Sequence, residues 1–249
     1  MDNAVAVSVE DVVKVYKSSH QPALNGLSLR IDKGEIFGLL GPNGAGKTTT
    51  LSLISGMSEL TSGSIKVFDT DVSFKMKGFL NKMGMVPQEI ALFPSLSGLE
   101  NLQYFASMYG LKKEESTDLI NEYLEKFGLT NAKKNRLHTY SGGMKRRINL
   151  LAGILHKPSL LVLDEPTVGI DVQSKAVIID FLLELNRNGT TILYTSHHLD
   201  EAQDFCSRIS IIDEGTSIAL GSPKDLIKEH HAEDLQDVFL KITGKRLRD

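Results

Sequence analysis

Glu35-Ile36-Phe37-Gly38-Leu39-Leu40 is a mostly apolar run, Gly41-Pro42-Asn43-Gly44-Ala45-Gly46-Lys47-Thr48 follows it without a break, and Thr49 to Ser55 continues behind. The run reads as a buried strand. Lys47 to Ser55 reads as a short helix closed at Gly56, since glycine takes the left-handed conformation of a helix end without strain. Between them the octet has the spacing of a phosphate-binding loop. Its glycines let backbone N–H groups turn inward around an anion, and the helix start behind adds positive potential. Lys47 brings a mobile charge to the outer phosphates of a triphosphate, and the Thr48 hydroxyl can ligate Mg²⁺. The competing reading is a glycine turn with a solvated lysine. At ordinary residue frequencies such a string arises by chance in about one chain in a hundred of this length, and the flanking strand and helix make chance rarer.

Upstream, Ala4 to Val9 and Leu27 to Ile31 alternate as strands, with Lys33-Gly34 as the turn that follows. Downstream the character changes. Leu119, Ile120, Tyr123, Leu124 and Phe127 share one helical face that ends at Gly128, and Met144, Ile148, Leu151, Ala152 and Leu155 share another, with Ser141 before it as a cap and Pro158 after it. Glu89 to Leu155 therefore reads as a helical insertion with no obvious strand. Strand-helix alternation then resumes with Leu160 to Leu163, the stripe Val177-Ile178-Phe181-Leu182-Leu185 closed at Gly189, and Thr190 to Thr195. The expected fold is α/β: a P-loop NTPase core with a mostly parallel sheet, an N-terminal antiparallel β portion and an inserted α-helical subdomain. The expected boundaries are 1–88 and 156–222 for the core, 89–155 for the insertion and 223–249 for a tail. In that tail Leu235, Val238, Phe239 and Ile242 fall at helical spacing, an amphipathic helix that packs on the core in its simplest reading.

Composition excludes several classes. With 28 basic and 31 acidic side chains the chain carries a formal charge of −3, and it is 41% hydrophobic. That is an ordinary globular composition rather than a disordered or collagen-like one. The near-neutral charge gives no sign of a nucleic-acid partner, which needs clustered positive surface. A single cysteine, Cys206, forms no internal disulfide. Unbroken apolar runs reach about four residues, far short of the roughly twenty of a spanning helix, and Met1-Asp2-Asn3 lacks the opening of a signal peptide. The expectation is a soluble intracellular protein.

Leu160-Leu161-Val162-Leu163-Asp164-Glu165 is an apolar strand ending in two carboxylates. At the carboxyl end of a parallel strand they face the ligand crevice. Adjacent side chains there point different ways, so Asp164 can hold a metal while Glu165 points at a nucleophilic water. Alone, the string is better explained by a strand running into a solvated turn, with Pro166 finishing it; the phosphate loop upstream in the same chain reverses that. A third string, Tyr140-Ser141-Gly142-Gly143-Met144-Lys145-Arg146-Arg147, opens a helix with a capping serine and free backbone amides, a second anion site. The phosphate loop already serves the chain's own triphosphate, so this second site serves a nucleotide held by another copy. Taken alone, this string is an N-capped helix with Lys145, Arg146 and Arg147 as a solvated face.

Together these strings closely resemble the ATP-binding cassette (ABC) ATPases, whose signature reads LSGGQ or a variant shortly before an acidic strand. Tyr140 and Met144 depart at the first and fifth positions, and both variants look like those of type-2 exporter ATPases. The resemblance extends over nearly the whole chain. It implies that Tyr16 stacks on adenine, that Gln88 is the glutamine loop that senses Mg²⁺ and reaches toward a permease, and that Gly169-Ile170-Asp171 is the D-loop. It also implies that His197 is the switch histidine, with His198 a surface neighbour. Gly41, Pro42, Asn43, Gly44, Ala45, Gly46, Lys47, Thr48 and Thr49 then hold ATP, with Ser141, Gly142, Gly143 and Asp171 contributing from the signature and D-loop. Thr48, Gln88 and Asp164 hold Mg²⁺, and Glu165, His197, Gln88 and Lys47 carry hydrolysis. Asp237 to Gly244 is similar to the closing segment of type-2 exporter ATPases, and Gly221 to Asp234 leave too little chain for the strand-rich domain that larger members carry before it.

The resemblance implies an export ATPase that dimerises around two Mg-ATP, with an identical or paralogous cassette, and drives a separate integral-membrane permease from the cytoplasmic face of the membrane. The alternative within the family is a soluble ATPase of an iron–sulfur assembly complex, against which the Tyr-Ser-Gly-Gly-Met variant and the tail argue. A tandem translation-factor cassette is excluded by the single copy of each motif, and a chromosome-maintenance ATPase by the lack of long coiled-coil insertions. A non-catalytic cassette is disfavoured because Lys47, Glu165 and His197 are all present.

Overall fold

The computed structural model describes residues 4–17, 19, 21–72 and 80–244, so the Met1-Asp2-Asn3 opening lies outside the described residues. In chain order the first elements are β1 (Val5–Lys14), β2 (Leu24–Asp32), β3 (Ile36–Leu40), α1 (Lys47–Ile54), β4 (Ser62–Val67), β5 (Thr70–Asp71) and β6 (Met83–Val86). Then come α2 (Gly98–Met108), α3 (Lys113–Lys126), α4 (Gly142–Ile154), β7 (Leu160–Asp164) and α5 (Val172–Arg187). The last are β8 (Thr191–Ser196), α6 (Leu199–Phe205), β9 (Arg208–Asp213), β10 (Thr216–Gly221), α7 (Pro223–Glu229) and α8 (Leu235–Thr243). They divide into two compact units, Met1–Leu80 with Asn186–Asp249, and Asn81–Leu185.

In the first unit, β1 lies between β2 and β4 in an antiparallel sheet that β5 extends. From Leu27 to Ile31, β2 alternates buried and exposed residues, the pattern of a sheet with one wet face. β3 is different: every residue from Ile36 to Leu40 is buried, and it pairs in parallel with β8 on one side and β9 on the other. β8 is likewise buried throughout, as strands covered on both faces must be. β10 closes this edge antiparallel to β9. Cys206 is buried just before β9, and burial raises its thiol far above the ordinary range.

The tail helix α8 belongs to this unit. It starts at Asp234, whose carboxylate accepts from the Asp237 N–H. It buries Leu235, Val238 and Phe239 and packs on α6 and α7. The Leu235 N–H donates to the Gln203 side chain on α6 at 3.2 Å.

In the second unit β6 and β7 form a parallel pair, and β7 is buried from Leu160 to Asp164. The described residues between 89 and 155 hold α2, α3 and α4 and no named strand. The starts of two of these helices are strongly specified. Ser97 caps α2 through a reciprocal box: its hydroxyl accepts from the Glu100 N–H, and the Glu100 carboxylate accepts from the Ser97 N–H at 2.7 Å. Ser141 caps α4 by accepting from the Met144 N–H at 3.2 Å. Tyr140, just before it, is buried, and its hydroxyl donates to the Ala132 carbonyl at 2.7 Å.

Ser97→Ala removes one half of the α2 box, an interaction worth about 1 kcal/mol. Urea unfolding should show a lower midpoint with an unchanged slope, and thermal unfolding a fall of about 2–4 °C.

Candidate active site

Each unit gathers its own group of the residues singled out from sequence. In the first, Leu40 at the end of β3 is in register with Ser196 at the end of β8. The phosphate-type loop and His197 therefore leave the sheet at the same carboxyl edge. Gly46 precedes α1 with φ 108°, the left-handed region, and no side chain caps the helix. A Cβ there would lie 2.6 Å from Leu24 Cδ2 and 2.8 Å from the Ala23 carbonyl, so only glycine fits. A helix start set directly behind a glycine-shaped loop is an arrangement suited to an anion. Lys47 is buried and folds across the loop, donating to the Gly41 carbonyl at 2.8 Å and the Pro42 carbonyl at 3.2 Å. Its charge is thus held over the loop that the glycines shape.

Tyr16 stands exposed beside the start of α1, its hydroxyl 3.4 Å from Thr49 Oγ1 and its ring 4.8 Å from Lys14 Nζ. An exposed ring at that place is available for stacking. His197 is half-buried and His198 exposed, with their ring centroids 4.0 Å apart. The His198 N–H is bound by Ser196 Oγ at 2.9 Å, which fixes the turn between β8 and α6. A few residues away, buried Tyr194 donates to Glu201 at 2.6 Å and ties β8 to α6.

In the second unit, Val86 at the end of β6 is in register with Leu163 near the end of β7. Pro87-Gln88 and Asp164-Glu165 therefore emerge together. Asp164 is 3% and Glu165 5% exposed. Glu165 has φ 47°, a left-handed backbone that a non-glycine residue adopts only at a cost. The turn aims its carboxylate at Gln88, whose Nε2 donates to Glu165 Oε2 at 3.1 Å. The sequence-predicted base and glutamine are thus in direct contact.

Ser141 and Gly142 are exposed at the start of α4. Gly143 is buried, and its reason is close approach: a Cβ would lie 2.4 Å from Ser174 Oγ and 3.0 Å from Asp171 Oδ2. The signature string is thereby packed against the start of α5. Asp171 accepts from the Ser174 N–H at 2.9 Å and from its hydroxyl at 2.8 Å. These bonds hold its carboxyl below the usual carboxylate range. Its negative charge works as a helix start of its own.

The basic run after the signature is not a solvated face. Arg146 is 7% exposed. Its Nη1 donates to the Gln88 carbonyl and, at 3.5 Å, to that of Pro87, and its Nη2 donates to the Val168 carbonyl at 3.4 Å. Burial lowers the guanidinium's pKa, an effect that the charges of Glu165 and Asp164 oppose. Arg147 is half-buried and donates to the Phe127 carbonyl at 2.7 Å. Three consecutive bases read as water-facing until the loop that covers one of them is known. The available signal is that Arg146 shares a helical face with Asn149 and Gly153, both buried.

Comparisons with known proteins bear on the family and fold of the chain. The family model described as ABC transporter matches residues 24–168. The linearmycin resistance ATP-binding protein LnrL of Bacillus subtilis (strain 168) is 47% identical over 220 residues, 88% of this chain and 70% of that protein. The Nod factor export ATP-binding protein I of Burkholderia thailandensis is 39% identical over 216 residues, 87% of this chain and 71% of that one. Among solved structures, the dimeric post-hydrolysis state of the ATP-binding cassette MJ0796 bound to ADP and Pi superposes with a TM-score of 0.79 at 26% identity. It spans 87% of this chain and 98% of that one.

Gly143→Ala should destabilise the protein by about 1–3 kcal/mol, the usual cost of overpacking. In a Ser174→Ala background the same change should cost at least about 0.5 kcal/mol less. A double-mutant cycle by urea unfolding measures the difference.

Proposed function

Because this chain belongs to the ABC transporter family, as an ATP-binding subunit, we propose that it hydrolyses ATP at the interface of two cassettes and thereby drives an export permease. The observation that carries this reading is that one chain holds two anion-ready helix starts. One follows Gly46, with Lys47 folded over it. The other is the exposed Ser141-Gly142 start of α4. The first serves the chain's own triphosphate. The second faces solvent and suits the triphosphate of a second copy. Two cassettes joined this way bring N–H-rich surfaces together, and the intervening phosphates neutralise their repulsion. The dimeric assembly of the similar MJ0796 cassette with ADP and Pi supports the arrangement.

The roles follow from the groups present. The Gly41–Thr48 amides and Lys47 hold the phosphates, and Tyr16 offers its exposed ring to the base. Thr48, Asp164 and Gln88 supply a hydroxyl, a carboxylate and an amide oxygen. Hard oxygen donors of these kinds suit Mg²⁺, which would neutralise charge on the phosphates when bound. Glu165 is placed to orient and deprotonate a water, and the Gln88 amide holds its carboxylate in position. Lys47, His197 and Ser141 donate toward the charge that builds as the terminal phosphate departs. Once that phosphate has left, the charge bridging the two surfaces falls and the dimer opens.

No helix among the described residues is long and apolar enough to cross a membrane, and we assign the membrane path to a separate integral-membrane permease. Exposed apolar side chains beside the Gln88 segment suit such a partner. Phe93 and Tyr104 meet edge to face at 4.8 Å, and Met108 one turn on is 64% exposed. Docking there places the subunit on the cytoplasmic face of the membrane. Export as the direction is supported by the Nod factor export relative.

Two variants test the sandwich. Glu165→Gln keeps the turn and the metal-binding groups and removes the base, so it should bind Mg-ATP and accumulate as a nucleotide-bound dimer. Size-exclusion chromatography showing only monomer at saturating ATP would count against the arrangement. Ser141→Arg, at an exposed position, should leave ATP binding by one subunit intact and abolish hydrolysis, read by equilibrium binding and phosphate release.

A further inference from the structure

The helix that begins at Ser141 is fastened to the Gln88 segment by two of its own side chains. Arg146 donates to the carbonyls of Pro87 and Gln88, and through its other terminal nitrogen to Val168. Asn149, one turn further on, donates to the Pro87 carbonyl at 3.2 Å and accepts from the Ala91 N–H at 3.1 Å. Residues three apart share a helical face, so α4 holds both ends of the 87–91 segment. Among the described residues no other side chain bonds to the Gln88 backbone. The same guanidinium lies close enough to Glu165 and Asp164 for their charges to act on it.

The chemistry of the group matters here. A planar guanidinium presents donors in a fixed fork and reaches several carbonyls at once, which a lysine ammonium cannot do in one geometry. Burying a guanidinium also has a large desolvation cost, which the carbonyls of Pro87, Gln88 and Val168 offset. Because Gln88 bonds to Glu165 through its side chain and to Arg146 through its carbonyl, the position of the base depends on the guanidinium through one residue. α4 starts at Ser141, so any displacement of its first turn carries Arg146 along.

We propose that Arg146 is a positioning residue for ATP hydrolysis: it ties the signature helix to the Pro87-Gln88 carbonyls and to Val168, and so holds Gln88 against Glu165. This rests on the hydrolytic reading above and adds a residue and a route to it. Asn149 holds the flanking residues of the segment, and Arg146 is the side chain of α4 that reaches the Gln88 carbonyl itself.

The test uses the full chain with Arg146→Met and Arg146→Lys, each also carrying Glu89→Cys for a spin label. Position 89 is exposed, and buried Cys206 stays unlabelled. Losing a charge-assisted tie predicts a kcat about tenfold to a hundredfold lower for Arg146→Met, with ATP affinity and KM little changed because Lys47 and its loop are intact. Arg146→Lys should recover part of the rate. The label should be immobilised in the unsubstituted background and mobile in Arg146→Met. Unchanged kcat with an immobile label overturns the proposal. So does loss of ATP binding along with rate, with no recovery by lysine, since that is the mark of a fold-wide clamp. If the unsubstituted chain binds ATP but hydrolyses none, the parent reading falls and this inference with it, and that reference sample alone identifies the outcome.

Discussion

Parallel strand pairing is the constraint on which the chemistry depends. Parallel neighbours run in one direction, so their carboxyl ends lie together and the residues just beyond them emerge as a group. The register Leu40 with Ser196 places the Gly41 loop beside the His197 turn. The register Val86 with Leu163 places Gln88 beside Asp164 and Glu165. A slip of one residue in either pair would send every side chain of the strand to the opposite face of the sheet. The complete burial of β3, β7 and β8 fixes both registers firmly.

The groups delivered there are held by short local bonds and not by the apolar core. Lys47 is bound to carbonyls of its own loop, Asp171 to the start of its own helix, and Gln88 to Glu165. Such bonds are exchanged for others at modest net cost, since each is worth about 0.5–1.5 kcal/mol, or somewhat more with a charged group. A site built this way is ordered at rest and adjustable in use. Arg146 differs in reaching beyond its own helix, to acceptors at Pro87, Gln88 and Val168, and as a buried cation it is expensive to dislodge.

Much of this was legible in the sequence, for reasons that differ residue by residue. The Gly41–Thr48 octet announces itself because only glycines at those spacings permit the loop, and Leu160–Glu165 gains its meaning from that loop upstream in the same chain. Helix starts at Ser141 and stops at Gly56 and Gly128 are local chemistry and could be read directly. β1 proved longer than its alternating portion, running to Lys14 through a register shift between Val9 and Val12, and irregularities of that kind leave no period to detect. Short strands such as β5, two residues long, depend wholly on their neighbours. Arg146 escaped because charge says nothing of cover. The same spelling serves a residue in water and one beneath a loop that is distant in sequence. Tyr140 is the converse case, an apparent departure from pattern whose hydroxyl finds the Ala132 carbonyl and whose ring fills the core.

The left-handed backbone at Glu165 has a consequence for how such a protein can change. Glycine or asparagine would take that turn with less strain, so the easiest gain in robustness at this point of the chain comes from discarding the carboxylate itself. Selection for hardiness and selection for turnover therefore pull in opposite directions at one position. Descendants that have abandoned catalysis should be expected to relax here first.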